Sequence, residues 1–147
     1  MAEIETVSDE LKLIVFKLGR EEYGLDILGV QEIKRRMSIT RVPSTPPYIK
    51  GVINLRGSVL PVIDLRTRLA LEEKELTEAA RIVVVLVNEN TVGFIVDEVV
   101  EVTTMSRANV ESAQALSTGL STEYFSGIAK TGNRLFILLN PAAILNT

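Results

Sequence analysis

The sequence predicts a mainly β protein made of two related halves. Short runs rich in Val, Ile and Leu alternate with turns that contain Gly or Asn. The segment Val42–Arg66 contains two such runs joined by Arg56 and Gly57, a two-residue connection typical of a tight hairpin. The second half of the chain also repeats the apolar and glycine pattern of the first half.

The individual elements follow from these runs in chain order. Thr67–Ala80 is rich in helix formers and charge, which indicates a helical or frayed connector. Ser106 is placed to cap a helical turn in a polar loop that continues to Glu123, and Pro141 opens a closing helical turn. The predicted extended segments are residues 11–18, 22–26, 30–34, 39–42, 51–55, 58–64, 81–87, 92–97, 99–103, 124–130 and 134–139.

An internal repeat organises the domain. A shift of 69 positions places the strands of the first half on residues 83–102, and a shift of 76 matches the hairpin with residues 127–140. The repeat predicts a single domain over residues 11–147, with lobes 11–69 and 81–140, a connector at 70–80 and a flexible segment at 1–10. Apolar matches are common between β-rich segments, so a chance match is the alternative. The polar and glycine matches are Gly24 with Gly93, Glu32 with Glu101, Gly51 with Gly127, and Asp64 with Asn140.

Composition excludes several classes of function. The chain has 147 residues and a net charge of −3, with no Trp, 3 Tyr and 4 Phe, which disfavours a nucleic-acid binder. It has neither Cys nor His, so thiolate and histidine catalysis are excluded, and we expect no metal or other cofactor. The acidic N-terminus does not resemble a signal peptide, and the longest apolar runs are too short for a membrane helix. These features suit a cytoplasmic protein.

Adjacent carboxylates are the only starting point for a hydrolase. They occur at residues 21–22, 72–73 and 97–98. Neighbours on a strand point to opposite faces, so these pairs do not predict a general acid and base acting together. Glycine-rich phosphate-binding motifs and the aspartate spacing of a calcium loop are absent.

Four segments resemble the bacterial chemotaxis coupling protein family, CheW. Their order is kept, and the resemblance spans roughly residues 11–145. The segments are EEYGLDILGVQEIK (21–34), YIKGVINLRGSVLPVIDLR (48–66), VGFIVDEVVEV (92–102) and LSTEYFSGIAKTGNRLFILLN (120–140).

The resemblance implies two SH3-like five-stranded β-barrel lobes with short helices between them and at the C-terminus. It also implies a non-enzymatic adaptor that binds the regulatory domain of the histidine kinase CheA and the cytoplasmic tips of chemoreceptors. Such an adaptor would be cytoplasmic and recruited to membrane-associated receptor arrays. The same module occurs in the kinase and, fused to a receiver domain, in CheV. The 147 residues contain no kinase or receiver sequence, so we expect the stand-alone form; a CheV-type or other two-component complex is the alternative.

The receptor-binding prediction centres on Arg56. The matching turn of the second half, Lys130–Asn133, has no Arg, which indicates that Arg56 has a role beyond folding. Alternatively, Arg56 holds its own hairpin by pairing with an internal acid such as Asp64. By resemblance, the predicted receptor-binding residues are Val30, Asn54, Arg56, Gly57 and Val102.

The kinase-binding prediction centres on the segment after Asp26. An acid beside β-branched residues on an exposed strand is a plausible docking patch for another β-barrel. The alternatives are that Ile27, Ile33 and Val102 belong to the core, that Glu32 is a solvated rim charge, and that Leu116 anchors its own loop. The match of Glu32 with Glu101 also favours a structural role for the acid. By resemblance, the predicted kinase-binding residues are Ile27, Val30, Glu32, Ile33 and Leu116.

Overall fold

Strands dominate the part of the chain that the computed structural model describes, residues 9–112 and 123–145. The mainly β prediction is therefore confirmed. Two short helices and two 3₁₀ turns complete the described elements: α1 (Leu65–Arg68), α2 (Pro141–Leu145), and turns at Ile27–Gly29 and Arg107–Asn109. The strands are β1 (Glu10–Leu18), β2 (Glu21–Asp26), β3 (Val30–Arg35), β4 (Ile49–Leu55), β5 (Ser58–Asp64), β6 (Arg81–Val87), β7 (Asn90–Val96), β8 (Glu98–Ser106), β9 (Val110–Ser112), β10 (Phe125–Thr131) and β11 (Arg134–Leu139).

The strands form two sheets. The first sheet has six strands in the order β8-β1-β2-β11-β10-β9, and the second has five in the order β3-β6-β7-β5-β4. Neighbours are antiparallel except for the pairs β11 with β2 and β5 with β7, which are parallel. Within the described residues each sheet runs between two edge strands and does not close. The SH3-like barrel detail is therefore not confirmed by hydrogen bonding.

The strand registers confirm the internal repeat. In the first sheet Ile14 pairs with Val102, and in the second sheet Val83 pairs with Ile33. The repeat matches Ile14 with Val83 and Ile33 with Val102, each 69 positions apart, so the two pairs are equivalent. The bulge in each of these ladders also falls at matching positions. Such agreement in register and irregularity reflects duplication of a folded unit rather than chance apolar matching.

The two sheets do not coincide with the predicted lobes 11–69 and 81–140. Strands β1 and β2 of the first half pair with strands of the second half, while β6 and β7 pair with β3 and β5 of the first half. Each repeat therefore gives its first hairpin to the sheet of the other repeat. Each sheet therefore contains strands from both halves, and the lobe bounds 11–69 and 81–140 stay a prediction about the repeat units.

The sequence predicts a helical or frayed connector over 67–80, and the structure has helix there only at residues 67–68, the end of α1. Asp64 caps α1 by accepting a hydrogen bond from the Arg66 N–H at 3.0 Å. The helix ends after one turn because Ala70 has φ of 60° and the Leu71 N–H bonds to the Arg66 carbonyl at 2.7 Å, as in a Schellman motif. Residues 71–77 have no regular secondary structure. Tertiary contacts of this segment therefore override its helix propensity.

Apolar side chains form three clusters. A central cluster takes Phe16 and Tyr23 from the first sheet and Phe94 from the second, so it joins the two sheets. Each sheet also has a cluster of its own, which contains Phe136 in the first sheet and Ile82 in the second. Both sheets are therefore apolar on both faces, as strands buried on two sides require.

Arg68 joins the two repeats beside the central cluster. Its guanidinium carbon lies 4.2 Å from the ring centre of Tyr48 and 4.8 Å from that of Tyr124, which are matched positions of the repeat. Its Nε donates to the Ile144 carbonyl at 2.8 Å.

We expect Arg68→Ala to lower the free energy of unfolding by about 2 kcal/mol, because it removes two cation–π contacts and one hydrogen bond. Urea denaturation measures this loss, and Arg68→Lys should recover part of it; an unchanged midpoint in Arg68→Ala would contradict the assignment.

Candidate functional site

The β4–β5 hairpin presents Arg56 at its tip. Arg56 and Gly57 have φ of 51° and 87°, the left-handed values that a tight two-residue hairpin turn needs. The Asn54 Oδ1 accepts a hydrogen bond from the Gly57 N–H at 3.1 Å and so orders the turn. All three residues are exposed, and the Arg56 side chain retains 67% of its accessible surface.

Arg56 pairs with Glu32. The Arg56 Nη1 donates to the Glu32 Oε1 at 3.4 Å, and Nη2 donates to Oε2. Strands β6 and β7 separate β3 from the β4–β5 hairpin in the sheet, so the pair requires a strongly curled sheet. Two residues predicted for different partners therefore form one site. The alternative partner, Asp64, caps α1 instead.

The ion pair fixes the charge of Glu32. The hydrogen bond from Arg56 lowers the pKa of Glu32, and the charges of Arg56 and Lys34 lower it further, against a smaller opposing effect of desolvation. The Lys34 Nζ lies 3.8 Å from the Glu32 Oε1. Glu32 is therefore a carboxylate at neutral pH, and the pair is open to screening by salt because Arg56 lies at the surface.

The second repeat contains a corresponding ion pair. Arg134 donates to Glu101, the match of Glu32, at 2.6 Å and to Glu22 at 3.0 Å, and its guanidinium lies 4.8 Å from the Phe136 ring centre. The turn Lys130–Asn133 itself contains no Arg, but Arg134 directly after it takes the place of Arg56 in the ion pair. An Arg two positions after Gly132 reaches the matching acid, which supports a structural contribution of the Arg56–Glu32 pair. The Arg134 side chain is 41% exposed, so Arg56 offers the more accessible donors.

Exposed apolar side chains lie in the turn before β3, the strand of Glu32, and on β6, which pairs with β3. Leu28 projects from the 3₁₀ turn with 87% of its surface exposed, and Asp26 fixes that turn by accepting from the Leu28 N–H at 3.0 Å. Leu86, at the end of β6, is 47% exposed. A Cβ on Gly29 would lie 3.8 Å from the Leu86 carbonyl oxygen, so the turn sits against this end of β6. Leu28 belongs to the segment after Asp26 that the sequence predicts as a docking patch. Leu86 does not, since an exposed leucine inside an apolar run gives no distinct sequence pattern.

The other predicted residues divide between the two sheets. Val30 is half-buried against the central cluster, Ile27 is half-buried in the 3₁₀ turn, and Ile33 is 38% exposed. Val102 is 53% exposed on β8 of the first sheet, so the alternative that it is simple core is wrong. Leu116 lies outside the described residues. The structure thus brings Glu32, Asn54, Arg56 and Gly57 together and places Val102 on the other sheet.

The adjacent carboxylates do not converge on a catalytic centre. Glu22 pairs with Arg134, and Asp97 pairs with Arg66. Within residues 9–112 and 123–145, no group of three or more carboxylates could hold a metal ion. Of the adjacent acids, Glu22 and Asp97 are therefore engaged in ion pairs with arginines.

Comparison with known proteins identifies the family. The family model of the CheW-like domain matches residues 12–147. The chain belongs to the CheW family. It is 42% identical over 148 residues to the chemotaxis protein CheW of Bacillus subtilis, covering 99% of this chain and 91% of that one. It is 38% identical over 143 residues to CheW of Klebsiella aerogenes, covering 97% and 85%.

A solved CheW structure has the same fold. The scaffolding protein TtCheW from Thermoanaerobacter tengcongensis superposes with a TM-score of 0.88 at 36% identity, covering 93% of each chain. The overall fold is therefore shared with a solved relative over nearly the full length of both chains. In the described part of this CheW-family chain, no helix has the length and apolar character needed to cross a membrane.

Proposed function

We propose that this chain is a chemotaxis adaptor that couples the cytoplasmic tips of chemoreceptors to the histidine kinase CheA through protein–protein contacts, without catalysis. Membership of the CheW family supports this, as do relatives named chemotaxis protein CheW and a structural relative described as a scaffolding protein. These names favour the stand-alone adaptor over a CheV-type module. The adaptor would act in the cytoplasm at membrane-associated receptor arrays, with no nucleic acid and no direct membrane insertion.

The surface formed by the Arg56–Glu32 pair, by Leu28 before β3 and by Leu86 on the neighbouring β6 carries the proposal. A charged, geometrically fixed pair next to exposed leucines combines specificity with apolar area, as protein interfaces do. We assign this surface to contacts with the CheA regulatory domain and the receptor tip. The remaining predicted contacts, Val102 on the first sheet and Leu116, would extend it.

The mechanism follows from a rigid body with more than one contact surface. The central cluster holds the two sheets together, so partners bound to different surfaces are kept at a fixed relative orientation. Coupling is then a difference in binding free energy, and each partner must change the affinity of the other by the same factor.

We predict that the Arg56–Glu32 pair contributes to both partner contacts in different proportions. Calorimetric titration with the isolated CheA regulatory domain should show at least roughly ten-fold weaker binding for Glu32→Gln and Leu28→Ser, the loss expected when one central interface contact is removed. Arg56→Ala should weaken binding of a receptor-tip fragment more than binding of the kinase domain. These residues are exposed or at the surface, so the thermal transition should stay cooperative.

The matched control is Glu21→Gln, which removes an exposed carboxylate from the first sheet. It should leave both affinities unchanged. The double variant Glu32→Gln/Arg56→Ala tests whether Arg56 acts only by positioning Glu32. If it does, the double variant should bind the receptor fragment with the same affinity as the single variant Glu32→Gln. Normal binding of both partners by all the site variants would overturn the assignment of this surface.

A further inference from the structure

A groove lies on the second sheet, lined by residues other than Arg56 and Glu32. Two cavities of about 560 and 680 Å³ share Ile39, Lys50 and Glu73 in their linings, so they adjoin and form one depression. Residues 36–50 make one wall, and the opposite wall is residues 73–76 of the connector. We call this the connector groove.

The floor of the connector groove is apolar. Ile82 and Ile95 are buried members of the second sheet's own cluster and line one cavity. Met37, Ile39 and Leu76 are partly buried and pack against the same cluster. An apolar floor of this kind can receive Leu or Ile side chains of a partner.

The rim of the connector groove is positively charged. Its five cations outnumber its two acids, Glu73 and Glu75, although the whole chain has a net charge of −3. None of the ion pairs found among the described residues includes any of these cations. The Nη1 of one of them, Arg81, donates to two backbone carbonyls, at 2.8 and 2.9 Å, rather than to a carboxylate. The cations are Arg36, Arg41, Lys50, Lys74 and Arg81.

We propose that the connector groove binds an extended acidic peptide segment of a partner protein that carries spaced apolar side chains. Two adjoining cavities offer room for several residues of a peptide chain, and the excess of cations complements Asp and Glu. Lys50 is the second residue of β4 and Arg56 follows its last residue, so these two side chains start about 20 Å apart along the strand. Neither Arg56 nor Glu32 lines the groove, and the proposal does not depend on the adaptor assignment.

Fluorescence anisotropy of the full chain with a labelled decapeptide, EELEDIEELE, tests this proposal. We expect saturable binding that weakens as salt rises from about 50 to about 300 mM, because the contact is ionic. The double variant Arg41→Glu/Lys50→Glu should bind at least roughly ten-fold more weakly, since it reverses two rim charges. Its matched control, Lys12→Glu/Arg20→Glu, makes the same change in net charge with exposed residues that do not line the groove, and should bind within about two-fold of wild type.

Two peptide variants separate the ionic and apolar contributions. Replacement of all acids by Gln should abolish binding, and replacement of Leu and Ile by Ser should weaken it. If Arg41→Glu/Lys50→Glu and Lys12→Glu/Arg20→Glu weakened peptide binding equally, the net charge of the chain alone would explain the loss. That result would overturn the proposal. Undiminished binding of the Gln peptide, or tighter binding of decanoate than of the acidic peptide, would also overturn it, since the groove would then recognise a different class of ligand.

Discussion

Gly51→Ala is expected to lower the free energy of unfolding by more than about 3 kcal/mol and to leave little folded protein at elevated temperature. Gly51 lies near the start of β4 with φ of 153°, a value that L residues rarely adopt. An added Cβ would lie 2.2 Å from the Thr40 carbonyl oxygen. That oxygen cannot retreat easily, because Thr40 and Val52 exchange two backbone hydrogen bonds of 2.8 and 2.9 Å.

The control for this prediction is Gly57→Ala. Gly57 also has positive φ, at 87°, but nothing lies within 4 Å of the position that an added Cβ would take. Backbone strain alone should then cost about 1 kcal/mol. Gly127→Ala, where a Cβ would lie 2.5 Å from the Glu111 carbonyl oxygen, should behave like Gly51→Ala. Equal losses for Gly51→Ala and Gly57→Ala in urea denaturation would show that the close approach to Thr40 is unimportant.

These glycines explain why the repeat can be found in the sequence. Gly51 and Gly127 match because in each repeat a neighbouring chain segment crosses the start of the hairpin at a distance that excludes a side chain. Such a requirement is local to one position and leaves a clear trace in the sequence. The strands themselves are predictable for the same reason, since period-two burial and turn residues are local properties.

The exchange of hairpins could not be predicted from the same pattern. Strand β1 pairs with β8 through Ile14 and Val102, but the equivalent position on β3 is Ile33, another β-branched residue. Because the repeats present similar apolar patterns, β1 could satisfy its register with either strand. The choice between them depends on packing in three dimensions, which periodicity does not report.

The candidate site was predicted as separate residues rather than as a pair. Glu32 and Arg56 lie 24 positions apart, and their contact depends on the curl of a sheet with two intervening strands. The matching pair, Glu101 with Arg134, was hidden because the second Arg is displaced along its hairpin. The repeat predicts the two acids, because they occupy matching strand positions. It does not predict Arg134, because this cation reaches its acid from a position that has no Arg in the first repeat.

Arg66→Ala is the second substitution with a large expected effect, a loss of about 3 kcal/mol in the free energy of unfolding. The Arg66 residue is 7% exposed, and its Nε donates to Asp97 Oδ1 at 3.0 Å. Its Nη1 donates to the Glu72 carbonyl at 2.7 Å, and Asp97 also accepts from the Gly19 N–H at 2.8 Å. One side chain thus joins α1, the connector, the end of β7 and the β1–β2 turn. Arg66→Lys keeps the charge but loses the two-pronged geometry, so it should recover only part of the loss.

The pH dependence of stability provides an independent check on this network. Burial raises the pKa of Asp97, but the hydrogen bonds from Arg66 and the Gly19 N–H together with nearby positive charge lower it by more, so the net shift is downward. A carboxyl group with a lower pKa in the folded state stabilises the fold above its unfolded pKa of about 3.9, and this contribution is lost as pH falls through the folded pKa. The difference in unfolding free energy between wild type and Asp97→Asn should therefore be largest near neutral pH and shrink from about pH 5 to about pH 2.

The neighbouring exposed acid supplies the matched control for that measurement. Glu98→Gln removes one carboxylate next to Asp97 without touching Arg66, so it should change stability little at neutral pH. Urea denaturation of the three proteins across the pH range separates charge from shape, because Asn keeps an oxygen that can still accept the Gly19 N–H. A wild-type advantage over Asp97→Asn that stays constant down to about pH 2 would mean that shape rather than the ion pair with Arg66 stabilises this junction.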